Sequence, residues 1–153
     1  MSKFSIHSCT LEAAIEVASN LRSDDLREVV EGHGVDPMVA LPLAIHDRFC
    51  VHFTAPNGKT AGMGGVEEDG RVWMLCTPVI HDYPIAFYKL AKQVLYSRPE
   101  KLLWNIVDKR NTVHLRLLKK LGFKFLREIP YGPNKLSFIE FCRVLRSPSQ
   151  SRQ

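Results

Sequence analysis

The stretch N-T-V-H-L-R-L-L-K-K-L-G-F at residues 111–123 decides more about this chain than any other. Asn111 can cap a helix, Val113, Leu117 and Leu121 recur at helical spacing with Leu118 beside them, and Gly122 stands where a helix ends by turning left-handed. Just before it, L-L-W-N-I-V at 102–107 is too continuously apolar for an exposed edge and suits a central strand under helical cover. Just after it, 123–129 reads as a strand, P-Y-G-P-N at 130–134 as a turn, and 136–142 as the last strand.

Upstream, the period changes twice. Phe4 and Ile6 alternate with polar or small residues as a short first strand does, and Thr10 can cap a helix carrying Leu11, Ala14, Ile15, Ala18 and Leu21. Ser23-Asp24-Asp25 interrupts and recaps, leading through Leu26, Val29 and Val30 to Gly32 and Gly34, and Asp36-Pro37 starts another helical piece. Phe49, Val51 and Phe53 then alternate with Cys50 and His52. With turns at Pro56-Asn57-Gly58 and Glu68-Asp69-Gly70, residues 49–76 make a three-strand antiparallel meander. Asp82 can cap the next helix, whose apolar positions include Phe87, Leu90, Ala91 and Val94.

A chain of 153 residues is long enough for one cored domain and too short for two. The expectation is a single domain over 1–145 with a loose polar tail at 146–153. Cys9, Cys50, Cys76 and Cys142 have no metal-like spacing, so they read as reduced thiols. His33, His46, His52 and His81 likewise lack a ligand spacing, and no metal is expected. Neither a leader nor a membrane-spanning segment is expected. The formal charge of +5 is uneven: residues 1–97 hold 8 Lys+Arg against 12 Asp+Glu, and residues 98–153 hold 13 against 4. A basic half can hold a phosphorylated cofactor or an acidic partner, but without aromatic interleaving it does not point to sequence-specific nucleic-acid binding.

The capping asparagine, the Leu-x-x-Lys-Leu-Gly-Phe ending and the preceding strand resemble the fourth helix of the Gcn5-related N-acetyltransferase (GNAT) superfamily. The element order resembles it across almost the whole chain. The resemblance implies a mixed α/β, acyl-CoA N-acyltransferase-like fold: a twisted mixed sheet of about seven strands with helices on both faces. More narrowly, Leu103-Trp104-Asn105, Asn111-Thr112 and His114 to Leu121, with Val72-Trp73 and a following threonine, look like the internal virion proteins of podoviral tailed phages.

In the superfamily, acetyl-CoA lies in a splay between the fourth and fifth strands. The matching strands here are 71–76 and 102–107, which puts Cys76, Thr77, Asn105, Asp108 and Asn111 near the cofactor and Cys76, Asn105 and His114 in candidate catalytic positions. Two departures stand against the reaction. The glycine-rich pyrophosphate loop is replaced by Thr77-Pro78-Val79-Ile80-His81-Asp82-Tyr83-Pro84, whose prolines donate no amide hydrogen. The tyrosine that often serves as acid on the fourth helix is matched by Leu118, which cannot protonate a thiolate. Two readings follow from the resemblance. One is a virion-associated protein on a catalytically degenerate scaffold, partnered by other virion proteins, in the virion or host cytoplasm. The other is an N-acetyltransferase moving an acetyl group from acetyl-CoA to an amine. The two departures favour the first.

Overall fold

The computed structural model describes residues 3–144, so the expected tail at 146–153 lies outside the described residues. β1 (Ser5–Ser8) leads to α1 (Leu11–Ser19), α2 (Ser23–Arg27), a π-helical segment (Glu28–His33) and α3 (Pro37–Ala44). The meander follows as β2 (Phe49–Thr54), β3 (Thr60–Val66) and β4 (Val72–Cys76). A 3-10 turn (Pro78–Asp82), α4 (Pro84–Tyr96), β5 (Leu102–Asp108), α5 (Thr112–Lys120), β6 (Lys124–Tyr131) and β7 (Leu136–Val144) complete the chain.

The seven strands form two hydrogen-bonded groups, β1-β2-β3-β4 and β5-β7-β6, antiparallel within each group. They meet at one parallel bridge, Arg71 with Trp104, where the Trp104 amide donates to the Gly70 carbonyl at 3.1 Å. The parallel pairing expected along 71–76 and 102–107 is therefore confined to its first step. Beyond it β4 and β5 part, and Val72 to Leu75 stay only half-buried although they are central in the sheet.

Side-chain alternation assigns the two faces. Val72, Met74 and Cys76 pack with Phe87 and Leu90 of α4 and with Leu117 of α5, whereas Trp73 and Leu75 pack with α1 and α3 around Val17, Leu41 and Met63. Gly65 fits this arrangement for a steric reason, since a Cβ there would stand 2.8 Å from Trp73 Nε1 and 2.5 Å from the Phe49 carbonyl. The glycine-rich 61–65 segment is thus a close-approach surface inside β3.

Several helix ends differ from expectation. Ser23 is the first residue of α2, whose cap position is held by Arg22 without a side-chain capping bond. Asp82 closes the 3-10 turn, and α4 begins at Tyr83 and Pro84. Asn111 occupies the cap position of α5 but makes no capping bond, because its amide is drawn into a buried polar network. β6 runs on through Pro130 to Tyr131, which an edge strand tolerates because no ladder bond is lost on its open side. Gly122 does take the left-handed conformation, at φ 88°.

Candidate active site

Where β4 and β5 separate, a cavity of about 740 Å³ opens with walls from both helical layers. One side is apolar, contributed by Phe87 and Leu90 of α4 and Leu117 and Leu118 of α5. The other carries Glu28 and His33 from the π-helical segment and Leu41 from α3. Asn105 and His114 border this cavity; Cys76, Thr77, Asp108 and Asn111 do not, lying in the packing next to it.

Asn105 replaces the missing ladder with its side chain. Its Nδ2 donates to the Val72 carbonyl at 2.8 Å, and its Oδ1 accepts from the Ile106 amide at 2.7 Å. One amide therefore ties β4 to β5 just beyond the bridge.

The network at the far end of the split is built on Asp25, which is fully buried. Its Oδ1 accepts from Arg22 Nη1 and Asn111 Nδ2, each at 2.9 Å, and its Oδ2 accepts from the Cys76 amide at 2.8 Å. Arg22 Nη1 also donates to Asn111 Oδ1 at 3.0 Å, and the Arg22 amide donates to the Cys76 carbonyl at 2.9 Å. A buried ion pair of this kind needs such satisfaction on every side to offset its desolvation. Thr77 is tied to β3, its amide donating to the Ala61 carbonyl at 2.9 Å.

Asp25, Cys76 and His114 bring their potential ligand atoms within 4.8 Å of one another. With both Asp25 oxygens already accepting, a cation there would have to displace existing donors. The cluster is not a primed nucleophile either. Burial, reinforced by the Asp25 carboxylate, pushes the Cys76 thiol well up, and a thiol is nucleophilic only as the thiolate. His114 is held below its usual pKa by burial, against the opposing pull of Asp25, and so is neutral at pH 7. Its Nδ1 lies 3.6 Å from Asp25 Oδ1, beyond hydrogen-bond range, and its buried Nε2 has no partner among the described residues.

Sequence reading missed Glu28. Its Oε1 accepts from the Asp108 amide at 2.8 Å, and burial, with the Asp25 and Asp108 charges adding to it, raises its pKa to about 8. Asp108 is the opposite case: burial works against its ionisation, but Arg110 prevails through its backbone amide, Nε and Nη2, and holds the carboxyl low. Nothing local marked Glu28, because its partner stands 80 residues away. The Arg22–Asp25 spacing was visible as an i,i+3 pair, but not its burial.

A second pocket of about 220 Å³ lies between the 3-10 turn, the start of α4 and the outer side of α5, lined by His81, Pro84, Arg116 and Lys120 among others. Cationic side chains stand here in place of a glycine-rich run of amides.

The fold recurs in solved structures. A GNAT-family acetyltransferase from Bacillus anthracis superposes with a TM-score of 0.68 over 94% of this chain and 96% of its own, at 11% identity. The fold is that of the Gcn5-related N-acetyltransferases. Spermidine N-acetyltransferase from Vibrio cholerae, solved with CoA and spermine, gives a TM-score of 0.67 at 9% identity over 93% of this chain and 95% of its own. A putative acetyltransferase from Salmonella typhimurium, solved with acetyl-CoA, gives 0.66 at 13% identity over 95% and 96%. Neither a protein-family model nor a curated protein sequence matches the chain. The likeness is one of fold, over more than nine-tenths of each chain.

Proposed function

We propose that this protein is an acyl-CoA-dependent N-acyltransferase. The observation that carries the proposal is the cavity in the β4–β5 split, apolar on the α4–α5 side and carrying on the other the carboxyl of Glu28, which has no cationic partner among the described residues. The residues fit an acyl-CoA. An apolar channel suits the pantetheine arm, and Arg116 and Lys120 at the second pocket supply positive charge for phosphates that the proline-rich junction cannot hold with amides. When bound, that molecule would supply the acyl group as an activated thioester.

The chain's own groups then have separable tasks. Glu28, with a pKa of about 8, carries its proton at neutral pH in most molecules and takes one from an amine through its ionised form as the pH approaches that value. Asn105 holds the two strands at a fixed separation at the entry to the split. His114 keeps an uncharged ring at the cavity wall, with Nε2 free to accept or donate one hydrogen bond. Cys76 contributes packing and gives its backbone amide to Asp25, so transfer is direct and involves no acyl-cysteine.

The virion reading keeps two specific observations: Asp25 occupies the Cys76 amide at the far end of the split, and Leu118 offers no acid. Titration of the purified protein with acetyl-CoA by calorimetry separates the two. Micromolar binding, about −8 kcal/mol, that weakens in Arg116→Glu/Lys120→Glu supports the transferase. Absence of binding, with assembly onto virion proteins, supports the scaffold.

A further inference from the structure

The acceptor side of the cavity has a chemical character of its own. Alternation along the strands turns Trp73 and Leu75 of β4 and Ile106 of β5 toward the α1–α3 layer, and all three border the cavity together with Ile129 and Tyr131 of β6. His33, Tyr131 and Phe138 form an edge-to-face aromatic cluster with centroid separations of 5.0 to 5.6 Å, locked by a 3.1 Å hydrogen bond between His33 Nδ1 and Tyr131 Oη. At the margin, Val35 and Leu43 are exposed apolar residues that also border the cavity. The margin is therefore apolar at Val35 and Leu43, with charged side chains standing elsewhere around the cavity.

Most of the charged groups around the cavity are already engaged. Glu67 lies 3.8 Å from Arg71, with Asp47 close enough to raise the Glu67 pKa further, and Glu140 pairs with Arg127 at 3.0 Å. The basic side chains nearest Glu28 are engaged too, Arg22 with Asp25 and Arg110 with Asp108. Glu28 is thus a buried carboxyl on the cavity wall with no cationic partner among the described residues; its own contacts are the Asp108 amide and the Asn111 side chain, and aromatic and branched apolar side chains line most of the cavity.

We propose that the acceptor is a monoamine with a flat aromatic or branched apolar body, of the arylalkylamine class, which places its nitrogen at Glu28 and its body against Trp73, Leu75, Ile106 and Tyr131. A polyamine is disfavoured because its charged chain would have to lie against the aromatic and branched apolar side chains that make up most of the lining, although Asp47 also borders the cavity with no basic partner among the described residues. This inference rests on the transferase reading for its chemistry but not for its binding test.

The chain's two tryptophans, Trp73 and Trp104, both border the cavity, so intrinsic fluorescence reports its occupation. The protein is titrated with 2-phenylethylamine, with 2-phenylethanol as the analogue lacking the amine, and with spermidine; acetyl-CoA is titrated separately. Saturable change with 2-phenylethylamine is expected, about tenfold weaker for 2-phenylethanol and for 2-phenylethylamine with Glu28→Gln, as one charge-assisted hydrogen bond is lost. Tighter binding of spermidine, or no response to 2-phenylethylamine in protein that binds acetyl-CoA, overturns the acceptor class and leaves the transferase standing. Binding of 2-phenylethylamine in protein that does not bind acetyl-CoA retains the amine site and removes the transferase. If Glu28→Gln binds as tightly as the unaltered protein, the placement of the nitrogen is wrong.

Discussion

The Asp25 carboxylate accepts the Cys76 backbone amide at 2.8 Å, joining the second helix to the end of the fourth strand across 51 residues of chain. This bond closes the far end of the β4–β5 split, and the same carboxylate holds Arg22 and Asn111. A single buried acid thus fixes the acceptor-side helices, the free edge of β4 and the start of α5 in one frame.

Asp25→Ala should therefore be among the most destabilising substitutions in the chain. It takes from Arg22, only 4% exposed, its fully buried counter-charge, leaving it only the more exposed Asp24 at 3.2 Å, and frees the Cys76 amide in a buried place. A loss of about 3–5 kcal/mol is expected in urea denaturation. Asp25→Leu combined with Arg22→Leu should cost less than Asp25→Ala alone, since no buried charge remains unpaired. If the double variant proves the worse of the two, the network is not held together by this ion pair.

Glu28 gives a pH signature with a definite sign. Its native pKa near 8 lies above the ordinary value of 4.5, so between those values the native state binds more protons than the unfolded state. The contribution to stability is complete below about pH 4.5 and is lost as the pH rises through 8. Glu28→Gln can keep the Asp108 amide bond and cannot ionise. Relative to this variant, the unaltered protein should lose on the order of a few kcal/mol between pH 6 and pH 9. Parallel stability profiles over that interval would contradict the buried-acid assignment.

The four thiols should separate by reactivity. The hydrogen bond from Cys50 lowers the Cys9 pKa, while the same contact raises that of Cys50, and Cys76 is both buried and pushed up. Brief iodoacetamide labelling of the native protein, read by peptide mass spectrometry, should modify Cys9 well before Cys50 and leave Cys76 intact until unfolding. Correspondingly, Cys76→Ser should change turnover only modestly. An acetylated Cys76 peptide would replace direct transfer with a covalent route.

Asn105→Ala removes the side-chain hydrogen bond that ties β5 to β4. Loss of two hydrogen bonds in a half-buried position should cost about 1–3 kcal/mol, and the loosened split should lower turnover by roughly five- to a hundredfold. Measuring kcat/KM beside the melting temperature separates these effects. Unchanged turnover in a correctly folded variant would remove Asn105 from the site.

Gly122→Val tests the helix stop at 111–123. A Cβ at Gly122 would meet open space, so the cost comes from the backbone alone, at φ 88°. About 1–2 kcal/mol is expected, read as a lowered melting temperature, with Gly122→Asn milder because asparagine tolerates this conformation. Equal melting temperatures for valine and glycine at this position would contradict the left-handed assignment.

What the sequence by itself determined was the set of elements and the scaffold they make. The 111–123 helix with its glycine stop, the meander at 49–76 and the apolar run at 102–107 are local patterns, set by backbone preference and by the period of burial, and neighbouring residues suffice to read them. Asn105 and His114 were legible as candidates because they lie within those patterns. What only the tertiary structure decided was the polar interior. Asp25 looked like half of a capping pair and proved to be the buried hub of the split; Glu28 had no mark at all; Asn111, which reads as a cap, gives its side chain to Arg22 and Asp25 instead. Hydrogen bonds and desolvation act through space, and the partners here stand 51 to 89 residues apart, so no local window could show that these groups would be buried together.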